Sequence, residues 1–279
     1  MLKPADATQL VPVVCGDLAR IGAPNDGGYV VPLAVVRQVK YLISFGLSLD
    51  WTFEEDFVRH NRGVIVHCYD HTVSARRIAI HSLKHLGKLP LGPSKQRRQE
   101  SLRYLSYRMF FRGRIHHYHH RTRIWDSTEG DSATIHDVFA KLAPGGGVFL
   151  KMDIEGSEYR VLADLAAYAS RIDAMVIEFH DIHLLAERFD AAIAQLRKEF
   201  HVVHVHGNNY RGLSPSGLPN VLEITFQNRR LFNGTPQASS RSYPVQGLDA
   251  PNNPARPDLE LHFLSRIQSH ATQPSNDPA

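Results

Sequence analysis

The sequence predicts an α/β fold, in which a mostly parallel sheet has helices between its strands and an antiparallel pair at one edge. Two observations support this prediction. Short apolar runs alternate with helical patterns along residues 41–226, which is typical of strand–helix–strand units. The last two apolar runs, residues 202–205 and 221–226, have no helical pattern between them. We therefore expect those two strands to pair as an antiparallel hairpin.

The predicted strands are runs enriched in β-branched, aromatic and other apolar residues, which suit a buried sheet. In chain order they are residues 41–45, 64–69, 148–154, 174–179, 202–205 and 221–226. A less regular stretch, residues 89–125, contains one further candidate strand at residues 121–125. The Pro-Gly-Gly-Gly segment at residues 144–147 predicts the turn that leads into the third strand of this series.

The predicted helices have apolar residues at helical spacing, which places those residues on one buried face. In chain order they are residues 51–60, 74–86, 99–111, 133–142, 157–168 and 184–200. Asp50 or Thr52 can cap the first of these helices. The last one has the clearest apolar stripe, formed by Leu185, Phe189, Ile193 and Leu196.

The bulk composition fits one globular domain followed by a tail. The 279 residues are 43% hydrophobic, which is enough for a full core. Seven of the 16 prolines lie between residue 233 and the end of the sequence. We therefore expect one domain over residues 1–232 and a Pro-rich tail over residues 233–279. The tail should dock in part through residues 259–264 and be disordered over about its last ten residues.

The sequence shows neither a secretory signal nor a membrane-spanning segment. Residues 1–8 lack a basic stretch followed by an apolar one. Apolar runs of about eighteen residues, which a transmembrane helix needs, are also absent. Cys15 and Cys68 fit no CxxC or zinc-binding pattern. The expected location is the cytoplasm, where both thiols stay reduced.

One segment carries a strong excess of positive charge. Residues 71–123 contain thirteen Lys or Arg and one acidic residue, Glu100, in a chain whose net charge is +4. Such a segment suggests either an anionic partner or a solvated helix face. The histidine-rich run at residues 116–120 could bind a metal ion. An anion-binding or surface role fits it better, because so many arginines surround it.

Polar or ionisable residues follow five of the predicted strands, at the edge where parallel sheets bind ligands. In chain order they are Gly46, Ser48, Asp50, Asp70, His71, Asp153, Glu155, His180, His206, Asn208 and Asn209. Because the carboxyl ends of parallel strands meet at one edge, we expect these residues to surround one cleft.

The two turns after the first strands limit the kind of cofactor. A dinucleotide site needs GxGxxG, but the turn at residues 46–50 contains only one glycine, Gly46. This disfavours a cofactor that contains pyrophosphate, whereas a cofactor without phosphates still fits. Asp70, at the end of the second strand, is placed to bond the hydroxyls of a ribose. The alternative role for Asp70 is to cap the helix that follows.

Two carboxylates and a histidine form the candidate chemical centre. Asp153 and Glu155 lie so close in sequence that one of them should face a ligand, solvent or a cation. Glu155 also suits the N-terminus of the following helix, which leaves Asp153 as the better functional candidate. His180 is the first candidate for a general base because histidine titrates near neutral pH, and Asp153 is the second.

A divalent-metal site is an alternative that the sequence does not favour. His180 and His183 are three residues apart, and His204 and His206 share one strand face. Together with Asp153 they could form a metal site, but no local ligand motif supports it. We therefore predict no metal.

Several segments together resemble the FkbM-like S-adenosylmethionine-dependent methyltransferase family. They are RIGAPNDGGYVV at residues 20–31, SFGLSLDWTFE at 44–54, KMDIEGSEYRVL at 151–162, IEFH at 177–180 and HGNNY at 206–210. The resemblance spans about residues 20–227, and KMDIEGSE is its most specific string. One departure is Ser48, which stands where a second glycine is common in the family.

The resemblance implies a fold, a cofactor and a reaction. The fold would be a Rossmann-like, seven-stranded, mostly parallel sheet with helices on both faces and an antiparallel last strand, as in class I methyltransferases. The cofactor would be S-adenosylmethionine, and the reaction would be O-methylation of a glycan, sugar or glycoconjugate. Residues 1–232 would form the methyltransferase domain. Residues 90–125 would be a basic insertion outside the family core that sets substrate choice.

The resemblance also assigns roles to the strand-end residues. Cofactor binding is assigned to Phe45, Gly46, Ser48, Asp50, Asp70, His71 and Asp153. Acceptor binding is assigned to Glu155, His206, Asn208 and Asn209. His180 and Asp153 would supply the base.

Two other functions stay open. An RNA methyltransferase would use the basic segment, and its binding would weaken steeply with salt. The aromatic residues at 104, 107, 110 and 111 could then stack on bases, although they fit an inward-packing helix face better. A catalytically silent module would bind a glycan or lipid headgroup without the cofactor. We expect a small-molecule or glycan acceptor that could be anionic, disfavour nucleic acid, and allow peripheral contact with a membrane.

Overall fold

A computed structural model describes residues 5–88, 94–113, 115–214 and 217–261 of the chain. The strands are β1 (Leu18–Gly22), β2 (Gly28–Pro32), β3 (Tyr41–Phe45), β4 (Ile65–Tyr69), β5 (His117–His120), β6 (Arg123–Ile124), β7 (Ser132–Ala133), β8 (Val148–Met152), β9 (Ile172–Phe179), β10 (Phe200–Gly207) and β11 (Leu222–Asn228). The α-helices are α1 (Leu33–Gln38), α2 (Thr52–His60), α3 (Ala75–Leu86), α4 (Lys95–Ser101), α5 (Arg103–Phe111), α6 (Ile135–Ala140), α7 (Glu158–Leu165) and α8 (Ala186–Leu196).

Seven of these strands form the central sheet, in the order β10-β11-β9-β8-β3-β4-β5. Every neighbouring pair is parallel except those that involve β11, which runs antiparallel to both β9 and β10. Strand order reverses between β3 and β8, which is where open α/β sheets bind ligands. This topology confirms the predicted Rossmann-like sheet and its antiparallel strand.

Hydrophobic cores cover both faces of the sheet. Because side chains alternate along a strand, Ile43 of β3 joins one core and Leu42 joins the other. The first core packs residues of α6, α7 and α8, including Phe189, and the second packs residues of α1, α2 and α5, including Phe57. Helices therefore lie on both faces, as predicted.

The last predicted helix is shorter than its pattern suggested. Residues 184–200 were expected to be helical, but α8 covers only Ala186–Leu196. Phe200 instead pairs with Asn228 as the first residue of β10. An apolar residue at helical spacing cannot by itself mark the end of a helix, because a following buried strand also begins with an apolar residue.

The basic segment carries a strand of the central sheet. The strand predicted at residues 121–125 is present as β6, which belongs to a separate two-stranded sheet. The strand of the central sheet is β5 at His117–His120, which pairs with β4 and was not predicted. An edge strand made of histidine and tyrosine has no apolar alternation to reveal it. Tyr107, Phe110 and Phe111 on α5 are buried. This confirms the inward-packing interpretation for these three aromatic residues.

Residues 233–261 fold back onto the domain. Antiparallel bridges join Ala238 to Val13 and Leu261 to Tyr243. Leu261 is buried, in line with the predicted docking near residues 259–264. Residues 262–279, which include the last ten or so where disorder was predicted, lie outside the described residues. Among the residues that the structure describes, no helix is long and apolar enough to cross a membrane.

Candidate active site

The end of β3 and the end of β8 meet closely at Gly46. The backbone N–H of Asp153 donates to the carbonyl oxygen of Phe45 at 2.9 Å. Gly46 has φ +82°, and a Cβ there would collide with the carbonyl oxygen of Asp153. Only glycine combines this conformation with this approach. The glycine is therefore needed to bring the Asp153 backbone next to the turn after β3.

Asp70 holds the turn that follows Gly46. Its Oδ2 accepts hydrogen bonds from the backbone N–H groups of Leu47 at 2.9 Å and Ser48 at 2.8 Å. Its Oδ1 accepts from the N–H and the hydroxyl of Thr72. Burial alone would raise the pKa of Asp70, but these hydrogen bonds outweigh it and lower the pKa. The predicted ribose contact would share a carboxylate that already accepts four bonds.

The other predicted cofactor residues differ in accessibility. Ser48 has φ +50°, a glycine-favoured conformation at the position where the family commonly has glycine. Asp50 accepts from the N–H of Thr52 at 2.9 Å, and its side chain is partly exposed. His71 is exposed. Phe45 is fully buried in the core, so it meets the site through its backbone.

A cavity of about 280 Å³ lies beside this turn. Its wall is formed by the turn together with residues of α3, α4 and α5, namely Ser48, Leu49, Asp50, His81, His85, Glu100 and Arg103. Arg103 pairs with Glu100 at 2.7 Å and with Asp50 at 3.4 Å. The basic segment thus contributes directly to the wall beside residues 46–50, the turn predicted to bind the cofactor, which we name the cofactor turn.

His180 lies among four carboxylates at the end of β9. Its Nδ1 is 3.1 Å from Oε1 of Glu158, and its Nε2 lies 3.9 Å from Asp153, 3.7 Å from Glu155 and 3.8 Å from Glu178. Burial lowers the pKa of His180, but the hydrogen bond and charge of Glu158, with the charges of Glu178 and Asp153, raise it to about 9. The ring is therefore protonated at neutral pH when no other cation is near.

Asp153 lies where this group meets the cofactor turn. Burial raises its pKa, while the charges of Lys151 and His180 act in the opposite direction. Its side chain is 28% exposed, compared with 10% for His180. Tyr29 from β2 donates to Glu178 at 3.1 Å and lies 3.4 Å from Asp153. Asp153 is therefore both reachable from the cleft and oriented by its neighbours.

The predicted acceptor residues after β10 mainly bind the protein's own chain. His206 contacts Glu223 at 3.0 Å and Asp258 at 3.1 Å. The side chain of Asn209 donates to carbonyl groups of residues 253, 256 and 257. Asn208 donates to Glu178 at 2.9 Å. Of the predicted acceptor residues, Glu155 is the exposed one, at 80% of its side chain.

The sequence did not assign roles to several residues that build the site. Tyr29, Glu158 and Glu178 lie in the motifs quoted above, but their contacts join segments that are far apart in the chain. His204, considered as a metal ligand, instead pairs with Asp249 at 2.8 Å. Among the described residues, the group with metal-ligand spacing is Asp153, Glu155 and His180.

A comparison with protein families decides the assignment. Residues 97–211 match the model of the methyltransferase FkbM domain. Residues 97–211 of this chain are therefore similar to a methyltransferase FkbM domain. The matched stretch includes Asp153 and His180, and it begins inside the basic segment. The first residues of the match, 97–125, belong to the basic segment.

Solved structures similar to the chain have low identity to it. Precorrin-6y C5,15-methyltransferase from Geobacter metallireducens GS-15 is 10% identical, with 71% of this chain and 86% of that chain covered and a TM-score of 0.35. A fibrillarin/Nop5p complex is also 10% identical, with 73% of this chain and 86% of that chain covered and a TM-score of 0.36. The 23S rRNA methyltransferase ErmE is 10% identical, with 72% of this chain and 69% of that chain covered and a TM-score of 0.35. No curated protein matches the sequence.

The polar groups at the strand ends fit S-adenosylmethionine, the methyl donor that the match to a methyltransferase FkbM domain implies. That cofactor carries a cationic sulfur, an ammonium group and ribose hydroxyls, and it has no phosphate. The cleft offers carboxylates at Asp50 and Asp153 beside the turn that Asp70 holds. Carboxylates attract cations and accept hydrogen bonds from hydroxyls.

Proposed function

We propose that this chain transfers a methyl group to a hydroxyl oxygen of a glycan, sugar or glycoconjugate. The observation that carries the proposal is the pair formed by Asp153 and His180. Asp153 lies at the end of β8, beside β3, where the strand order of the sheet reverses, and it also touches the cofactor turn. When bound, S-adenosylmethionine supplies a methyl group on a positively charged sulfur. The protein must then align the acceptor hydroxyl and receive its proton.

Asp153 is the group we assign to the proton. Its side chain is nearly three times as exposed as that of His180, at 28% against 10%. Glu158 already bonds the Nδ1 of His180, which fixes the ring rather than freeing it. Bound S-adenosylmethionine would supply the methyl group, and the carboxylate of Asp153 would receive the proton of the acceptor hydroxyl. His180 orients and balances the charge of that carboxylate.

The acidic character of the cleft supports a neutral hydroxyl compound as acceptor. Asp153, Glu155 and Glu178 face His180, and Asp26 is close enough to interact electrostatically with Asp153 and Glu178. Carboxylate oxygens accept hydrogen bonds from several hydroxyls at once. The same charges repel the phosphates of RNA, and the buried Tyr107, Phe110 and Phe111 cannot stack on bases.

Calorimetric titration of the full chain with S-adenosylmethionine tests the first half of the proposal. We expect saturable binding with a dissociation constant between about 1 µM and 1 mM, the range usual for enzyme substrates. A titration that shows no binding of S-adenosylmethionine would favour the catalytically silent module instead. Asp164→Asn, which alters a partly exposed side chain on α7, serves as the matched control.

Transfer of a labelled methyl group tests the second half. The chain is incubated with methyl-labelled S-adenosylmethionine and, separately, with neutral sugars, phosphorylated sugars and structured RNA. We expect label on a sugar oxygen, located by mass spectrometry of the product. Label that appears only in the RNA would overturn the hydroxyl-sugar assignment in favour of the RNA methyltransferase.

A further inference from the structure

Three side chains at the ends of β8 and β9 have the spacing of metal ligands. Asp153, Glu155 and His180 each offer one ligand atom, and these atoms lie within 4.8 Å of one another. The Nε2 of His180 is 3.9 Å from Asp153 Oδ1 and 3.7 Å from Glu155 Oε2. These distances are too long for hydrogen bonds. They suit two ligand atoms on one ion, which lie about 3–4 Å apart when each bond is near 2.1 Å.

The histidine gives an independent indication. His180 is a residue with only 8% exposure, and within the described part of the chain its Nε2 has no hydrogen-bond partner. Its Nδ1, by contrast, is bonded to Glu158 at 3.1 Å. A metal-ligating histidine almost always has its other ring nitrogen bonded to a carboxylate or carbonyl in this way. The buried ring is thus held with its free nitrogen directed at the two carboxylates.

The charge balance also calls for a cation here. Asp153, Glu155, Glu158 and Glu178 surround His180, and the nearby buried cation is Lys151. Even when His180 is counted as protonated, the four carboxyl groups around it outnumber the two basic side chains, Lys151 and His180. Glu155 is 80% exposed, so an ion can enter from solvent and keep positions open for water or an acceptor.

We infer that Asp153, Glu155 and His180 bind one divalent cation of the Mn²⁺ or Mg²⁺ type. One imidazole with two carboxylates is a donor set that suits such ions. The site stands on its own geometry, but a role in methyl transfer rests on the proposed function. An acceptor hydroxyl bound to the ion would lose its proton more readily.

Titration with Mn²⁺, followed by electron paramagnetic resonance of the free ion, tests the site without cofactor or acceptor. We expect one bound Mn²⁺ per chain, displaced by excess Mg²⁺. Asp153→Asn and His180→Gln should each weaken Mn²⁺ binding by about tenfold or more. Asp164→Asn is the control. His136 and Asp164 lie 3.9 Å apart, the same distance as His180 and Asp153, but they are outside the three-ligand group.

Several outcomes decide against the cation site. Wild-type protein that leaves all Mn²⁺ free, or buried-ligand variants that bind it as the wild type does, would overturn it. If circular dichroism shows that those variants misfold, Glu155→Ala replaces them, because the exposed Glu155 side chain is not needed for packing. An unchanged Mn²⁺ affinity of Glu155→Ala would then overturn the site. Calorimetry with S-adenosylmethionine in the presence of a chelator keeps the two proposals apart. Cofactor binding without Mn²⁺ binding removes only the cation site.

A separate observation concerns an exposed surface on the basic segment. Six large apolar side chains, 44–64% exposed, lie on α3 and along the start and outer face of α5. They are Ile80, Leu83, Leu86, Leu102, Leu105 and Met109, and we name them the α3–α5 surface. Leu102, Leu105 and Met109 follow helical spacing, opposite the buried face of α5. Exposed apolar groups in such a cluster mark a contact site.

Exposed cations lie on the same helices as these apolar side chains and on the neighbouring α4. Arg76, Arg77 and Lys84 are exposed on α3, and Arg98, Arg108 and Arg112 are exposed on or beside α4 and α5. Apolar side chains among arginines and lysines suit the boundary between anionic headgroups and acyl chains. Leucine and methionine cannot stack on bases as aromatic rings do. We propose that the α3–α5 surface docks onto an anionic lipid bilayer.

Vesicle flotation tests the docking. We expect the full chain to float with vesicles that contain phosphatidylglycerol and to remain behind with phosphatidylcholine alone. The double variant Leu105→Asp/Met109→Asp should lose most of this binding, whereas Leu184→Asp, on an exposed residue elsewhere, should keep it. Failure to bind phosphatidylglycerol would overturn the proposal. So would a stable dimer that the double variant dissociates, or RNA binding that the double variant abolishes.

Discussion

At the scale of single residues, the site depends on a buried lysine. Lys151 donates to the carbonyl oxygen of Gly46 at 2.9 Å and lies 4.0 Å from Glu54, which accepts from Ser44. Burial lowers the pKa of Lys151, but the charges of Glu54 and then Asp153 outweigh it and raise the pKa. Lys151 thus links the core beneath the sheet edge to the cofactor turn above it.

Replacing this lysine should leave Glu54 as an uncompensated buried charge. We expect Lys151→Met to lower the free energy of unfolding by about 3–5 kcal/mol, the usual cost of breaking a buried pair. Lys151→Met/Glu54→Gln should recover part of that loss, because both charges are then gone. Urea denaturation measures the difference. A double variant as unstable as the single one would show that the pair is not the cause.

Asp153 should matter for turnover more than for stability. We expect Asp153→Asn to lower turnover by roughly 10²–10⁴-fold, since it removes the group that receives the proton. Once an acceptor is known, initial rates of methyl transfer measure this, with calorimetry as a check that the cofactor still binds. Asp164→Asn should retain the wild-type rate. A fully active Asp153→Asn enzyme would rule out our assignment of the proton.

At the scale of elements, the end of β10 is tied to the tail. His206 lies between Glu223 of β11 and Asp258, while His204 pairs with Asp249. Burial lowers the pKa of His206, but its bonds to Asp258 and Glu223 raise it to about 10. The histidine therefore carries a positive charge in the folded protein that joins the strand to the tail.

The stability contributed by this group should depend on pH. Since the pKa of His206 is higher in the folded chain than its ordinary 6.5, the contribution is complete below about pH 6.5. It disappears as the pH rises through about 10. We expect the melting temperature to fall across this window, and to fall less in Asp258→Asn. Thermal melts in matched buffers measure both; parallel pH curves would contradict the prediction.

Elements with their own local pattern could be predicted from the sequence. The Asp153 strand end was recognisable because an apolar strand, two carboxylates and a glycine follow one another in the chain. β5 was missed because its histidines and tyrosine show no apolar alternation. The acceptor roles assigned to His206 and Asn209 did not anticipate their partners in the tail, which lie 44–52 residues away. Such pairing leaves no local signal.

At the scale of the whole molecule, residues 233–261 complete the domain. Asn252 is buried and donates to Glu223 at 2.6 Å and to Asp26 at 3.1 Å, so it connects the tail, β11 and the loop before β2. Among the described residues, the tail from 233 to 261 is thus bonded to the rest of the chain. The polar network of the site extends into the tail.

Truncation should reveal this dependence. We expect a chain that stops at residue 248 to melt at least about 5 °C lower, because His204, His206 and Glu223 lose buried partners. A chain that stops at residue 261 keeps those contacts and is the control. Scanning calorimetry compares the two. Equal melting temperatures would mean that the tail adds nothing to the stability of the domain.

The hydrogen bonds of Asp70 have a consequence for the speed of cofactor binding. Because the carboxylate already holds the amides of Leu47 and Ser48, the turn keeps its shape before any ligand arrives. A preformed turn loses little conformational entropy on association. Encounter with the cofactor should therefore be limited by diffusion and orientation rather than by a slow rearrangement of this loop, giving single-exponential association with a rate proportional to cofactor concentration.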